Sequence, residues 1–218
     1  MPPKPRPHGK PKPPTAGGDR RKVLLIGAGG VAALALAAVA LAFTLGGDDG
    51  ADATGALEAA GCTLSATPAL TGVHSVASPS GKSDKWNTVP PTTGPHYPVP
   101  VVYGIYDEPV SQAQLVHNLE HGAIAIQYGD DVPEATVQGL RTFAQGRPRG
   151  TILAPYAALG DVVALGAWVA DDDNPEEGTA YLAKCRTFDE DAFAAFFDAY
   201  QFRGPERFPP DALLPGRT

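Results

Sequence analysis

Residues Val23–Leu45 form an unbroken run of 23 positions without a charged side chain, and only Thr44 among them is polar. As an α-helix the run would be roughly 35 Å long at 1.5 Å per residue, enough to cross the hydrocarbon of a bilayer. Arg20-Arg21-Lys22 precede it and Gly46-Gly47-Asp48-Asp49 follow it. Positive charge stays inside, so the expected arrangement is a cytoplasmic N-terminus, one transmembrane helix over 23–45 and an outward-facing remainder. A cleaved signal peptide would have a shorter apolar region of about 7–15 residues, so the run reads as an uncleaved anchor. Gly29, Ala33 and Ala37 form a small-xxx-small row of the kind that pairs helices, which leaves a homodimer open.

The segment VLLIGAGGVA (23–32) imitates the start of a dinucleotide-binding unit. A helix packed on a sheet is amphipathic, whereas Val31–Leu45 is apolar all round, so the nucleotide reading fails.

Charge divides the chain. Residues 1–22 carry seven Lys/Arg and one acid, a net charge of +6, and seven of their positions are proline. This reads as a disordered, solvated basic tail able to meet the inner leaflet. The remainder carries ten Lys/Arg against 23 Asp/Glu, a net charge of −13, which argues against nucleic acid as a partner. Residues 46–60, rich in Gly, Ala and Asp, read as a linker, and residues 61–218 as one extracytoplasmic domain.

Two cysteines, Cys62 and Cys185, exclude a disulfide-dense scaffold. They lack the C-x-x-C spacing of a redox or metal motif, and an oxidising exterior makes a Cys62–Cys185 disulfide the default.

Ala123–Tyr128, Thr151–Leu153 and Val162–Val169 read as strands. Pro133–Gln145 reads as a helix with Asp131 as its cap and Val137, Leu140 and Phe143/Ala144 on one face. Thr187–Glu190 matches a capping box, followed by an amphipathic helix through Phe193, Phe196, Phe197 and Tyr200 that ends before Gly204-Pro205. Residues 78–110, rich in proline, read as a long ordered loop. Without a regular βαβ rhythm, the expected fold class is a small mixed α+β domain.

Four histidines carry the chemistry of interest. His96 lies in PPTTGPHYP (90–98); His117 and His121 lie in LVHNLEHG (115–122). As a helix or as a strand, the second segment puts His117 and His121 on one face. With Glu120 or His74 they would complete a nitrogen-rich site for zinc or copper(II). The competing reading is a buried polar network that holds the Pro-rich loop, and spacing leaves both open. His-Asn-Leu-Glu-His also fits the inverted zincin pattern, in which Glu120 would be the base of a metal-dependent hydrolase. That pattern needs a further acid on a second helix, and Glu176 and Glu177 lie in what reads as a solvated turn. There is no G-x-S-x-G elbow. Asp171–Glu177 lacks the residue order of a calcium loop. Trp86, Tyr97, Tyr103 and Tyr106 would floor a groove or pack the loop down.

These motifs, with YGIY (103–106), ALGAWVA (164–170), a Phe-rich helix after Cys185 and RGPE (203–206), resemble the bacterial domain of unknown function 3105 over roughly residues 60–208. The resemblance implies a protein of the bacterial cell membrane, anchored by a single span, with a characteristic His/Glu cluster. That cluster falls here on His96, His117, Glu120 and His121. Thr93 stands where most members would have Ser. No protein partner, metal identity or reaction comes with the resemblance. A structural or partner-binding envelope protein without a metal therefore stays open beside the metal-binding and hydrolase readings.

Overall fold

The computed structural model describes residues 48–75, 86–174 and 177–218. The basic tail, the apolar run 23–45 and Glu176 lie outside the described residues. Among those described, no helix is long and apolar enough to cross a membrane.

The chain forms helix α1 (Asp48–Ala59), strands β1 (Thr63–Pro68) and β2 (Gly104–Ile105), helix α2 (Gln112–Glu120), β3 (Ile124–Tyr128), α3 (Glu134–Gly146), β4 (Thr151–Pro155), β5 (Val163–Ala170), β6 (Gly178–Cys185) and α4 (Glu190–Tyr200). The six strands make one mixed sheet in the order β1-β6-β5-β3-β4-β2. Pairing is antiparallel from β1 to β3 and parallel across β3, β4 and β2. The domain is mixed α+β, as expected, with two parallel crossovers, β2-α2-β3 and β3-α3-β4.

Both faces of the sheet are buried, and strand alternation sorts the side chains between them. Ile124, Ile126, Leu153, Val163 and Leu165 point to one side, where α1, α3 and α4 supply Leu57, Leu140, Phe193, Phe196 and Phe197. Ala125, Ile152 and Trp168 point to the other side, against Leu115, Val116 and Leu119 of α2 and Tyr103 of the Pro-rich segment. Burial on both sides is why AIAIQY is apolar without alternation.

Several expectations need correction. Residues 46–60 are not simply a linker, because α1 buries Ala53 and Leu57 completely in the core. Ala53 and Leu57 are spaced by four, but the helix is otherwise rich in Gly, Asp and small residues, which dilute the apolar stripe. The cap of α3 is Pro133 rather than Asp131, with no side-chain cap bond. Proline fixes φ near the helical value and needs no acceptor for an N–H, so it can open the helix unaided. The cap of α4 is Asp189, whose Oδ1 accepts the Ala192 N–H at 2.9 Å, rather than Thr187. Glu190 therefore stands in the first helical position and not in the third, where a capping box would need it.

Strands β1, β2 and β6 carried no clear sequence signal. β1 is a half-exposed edge strand and β2 has only two residues. The β1–β6 register, Thr63 opposite Lys184, brings Cys62 against Cys185, and they form the disulfide, S–S 2.04 Å.

Residues 78–85 of the Pro-rich segment lie outside the described residues; from Trp86 on, the segment is stitched down. Trp86 Nε1 donates to the Pro95 carbonyl at 2.9 Å, and Leu70 N donates to Thr93 Oγ1 at 3.1 Å. Asn118 of α2 receives Val101 N–H and returns an N–H to the Val101 carbonyl, at 3.0 and 2.8 Å. Tyr103 is buried, so these aromatics pack the segment onto the sheet.

Candidate metal centre

LVHNLEHG resolves as the end of a helix. His117 lies in the last turn of α2, Glu120 is its last residue and His121 is the C-cap. Gly122, at φ 87°, turns the chain into β3, a conformation that other residues adopt at a cost. The strap Arg203–Glu206 crosses this corner. Glu206 N donates to the Glu120 carbonyl at 3.0 Å. A Cβ on Gly204 would stand 2.2 Å from that same carbonyl oxygen, so the strap lies this close because position 204 has no side chain.

His74, His96, His117 and Glu120 come together, each offering one ligand atom, with these atoms all within 4.8 Å of one another. Glu120 Oε2 stands 2.9 Å from His96 Nε2 and 3.3 Å from His74 Nε2. The His74 and His117 rings stack at 4.8 Å, and His96 meets both edge-on. Gly72 roofs the carboxylate: a Cβ there would stand 2.4 Å from Glu120 Oε1. His96 is fully buried, whereas the His74 side chain is 46% exposed, so the cluster opens to solvent on the His74 side.

Backbone carbonyls orient two of the rings. His96 Nδ1 donates to Gly94 O at 2.8 Å and His117 Nδ1 donates to Tyr97 O at 2.7 Å. In neutral imidazoles this leaves the lone pairs on Nε2, facing the cluster. His96 Nε2 makes no hydrogen bond despite its full burial; its approach to Glu120 has the distance of an ion pair without the angle of a hydrogen bond.

His121 is not part of this group. It stands on the far side of His117, ring centroids 4.6 Å apart, with its Nε2 3.2 Å from Glu206 Oε2 and Phe208 over its ring at 4.2 Å. The two histidines of the H-x-x-x-H pair do converge, but toward Glu206. Sequence reasoning missed Glu206, which lies far along the chain from His121; the motif RGPE was the only hint of it.

Burial pushes the pKa values of His117 and His121 below the ordinary histidine range. Burial pushes Glu120 up, but His96 and His74 beside it outweigh that and hold it below the usual carboxylate range. In all three cases the unfolded chain binds the proton more readily than the folded one. The stability they contribute is therefore present above the unfolded values, about 6.5 for histidine, and is lost as pH falls. The chelator-treated protein is expected to show a melting temperature that declines from pH 7 toward pH 5. A melting temperature flat across that range would contradict this burial.

Fold and site together define a mixed α+β domain whose Pro-rich segment and helix end gather a His/Glu cluster able to hold a metal ion. Residues 78–211 match the family described as "Protein of unknown function (DUF3105)", and the chain belongs to that family. No curated protein and no solved structure matches it.

Proposed function

We propose that this protein is a membrane-anchored, extracytoplasmic binder of one transition-metal ion, zinc or copper(II), held by His74, His96, His117 and Glu120. The observation that carries the reading is the fully buried His96 Nε2, which stands 2.9 Å from the Glu120 carboxylate without making a hydrogen bond to it. A buried nitrogen lone pair aimed at a carboxylate is unfavourable unless a proton or a metal ion lies between them, and the contact lacks the angle that a shared proton would take. Donors on a tetrahedral ion at about 2.0–2.1 Å lie roughly 3.3 Å apart, so separations of 2.9 and 3.3 Å need only small side-chain movements to close on an ion. Three imidazoles and a carboxylate suit zinc and copper(II) alike. The carbonyl bonds to His96 and His117 supply the outer support that metal-bound histidines ordinarily have.

Glu120 lies against two imidazoles, the place of a ligand rather than of a base waiting beside metal-bound water. The arrangement therefore favours binding over hydrolysis. Anchoring rests on Val23–Leu45 and the basic residues before it, and the disulfide agrees with an oxidising exterior.

The test is metal content by mass spectrometry of the full-length chain, purified without a polyhistidine tag. The expected result is about one zinc or copper ion per chain, either as isolated or after loading. A chain that takes up neither ion when each is supplied would overturn the proposal and leave the histidines as loop scaffolding.

A further inference from the structure

His117 belongs to two groups at once. On one side it faces His74, His96 and Glu120; on the other, His117, His121 and Glu206 also bring their ligand atoms within 4.8 Å of one another. We propose that the second group is an outer metal position sharing His117 with the inner one, so that a single ion steps between them by exchanging ligands around His117. This rests on the inner site proposed above.

A single shared imidazole is what makes the two positions alternatives. His117 Nδ1 donates to the Tyr97 carbonyl, so only Nε2 is free, and one nitrogen lone pair serves one ion. Two ions would require that carbonyl bond to break and a second nitrogen to lose its proton. The inner position offers four ligands, one of them the fully buried His96; the outer offers three, one of them Glu206 with a side chain 45% exposed. The ion therefore rests inside, and the outer position is the solvent-facing stop.

The outer group is also built. The Glu206 backbone is tied to the Glu120 carbonyl, so the strap carrying one ligand is fixed to the helix end carrying the others. Gly204 permits that contact, and Phe208 covers the His121 ring and limits its rotation. Neighbouring cations do not compete for Glu206: Arg207 pairs with Asp172, and Arg203 donates to the Ala199 carbonyl.

The experiment disables the inner position and asks where the ion goes. The full-length chain is titrated with Zn2+ against a chromophoric chelator, and with Co2+ to read coordination from the visible spectrum. Wild type should bind one ion. His96→Ala should still bind one, more weakly by over the roughly 10–100-fold that loss of an outer supporting partner costs. Its Co2+ spectrum should differ from that of wild type. Adding Glu206→Gln to His96→Ala should abolish binding, whereas Glu206→Gln alone should leave the stoichiometry of one intact. Because His96 also holds the loop, Glu120→Gln serves as a second inner-site lesion with the same expectation, and circular dichroism checks that each variant is folded.

Two ions per wild-type chain would overturn the shared-ligand proposal. So would loss of all binding in both folded inner-site variants, or residual binding indifferent to Glu206→Gln. If wild type itself binds nothing, it is the four-ligand site that has failed.

Discussion

His117→Ala is expected to release the ion from every position the protein offers. Occupancy should drop from about one ion per chain to below roughly a tenth, because this imidazole is the ligand common to both groups. The substitution removes the side chain of a buried residue and its 2.7 Å hydrogen bond to the Tyr97 carbonyl, which should cost the metal-free fold about 1–3 kcal/mol. The metal-free protein therefore survives the change, while the metal-dependent rise in melting temperature disappears. His121→Ala is the contrast: it removes only the outer group, so the ion stays. The two variants are compared by metal content and by melting temperature with and without chelator. Equal metal loss in both would mean that His121 is a ligand of the resting site and that the inner group has been drawn wrongly.

Removing the disulfide should have the largest effect on stability. Cys62 and Cys185 are 123 residues apart, so the bond closes a loop over most of the folded domain. In the chain-entropy account such a closure is worth about 4–5 kcal/mol, a large share of the total stability of a typical domain. Cys62→Ala with Cys185→Ala should shift the urea midpoint sharply down. It should leave the β1–β6 pairing in place at low denaturant, because six cross-strand pairs and the α1–α4 packing remain. Both cysteines are buried among apolar side chains, so alanine leaves small cavities that add to the loss. An unchanged midpoint would show that the unfolded chain is already compact enough for the bond to restrict little.

The same chain shows how unevenly structure can be read from residues. Helix α3 was legible because its apolar spacing marks the one face that is buried, and strand β5 because burial on both faces leaves a nearly continuous apolar run. Helix α1 was not, because an Ala/Gly/Asp segment offers so little apolar area that its helical stripe looks like a linker; packing on α4 makes it a helix. β1 and β2 were missed for a related reason. An exposed edge strand and a two-residue strand draw their order from neighbours' backbone hydrogen bonds, which leave no mark on side-chain pattern.

At the site the division is sharper. Residue chemistry alone singled out His74, His96, His117, Glu120 and His121, and cysteine arithmetic alone paired Cys62 with Cys185. Imidazole, carboxylate and thiol chemistry belong to the residue and travel with it: the structure forms the cysteine pair and gathers the four histidines and Glu120 into two groups that could hold a metal ion. Which histidines stand close enough to share an ion was decided only by tertiary structure. The helix ends at Glu120, and that places His117 between two groups, turns Glu120 toward His74 and His96, and leaves His121 to Glu206 on a strap from the far end of the domain. Ligand sets depend on distances of a few ångströms between segments far apart in the chain, and these are set by packing and by the contact that Gly204 permits, neither of which is written in local spacing.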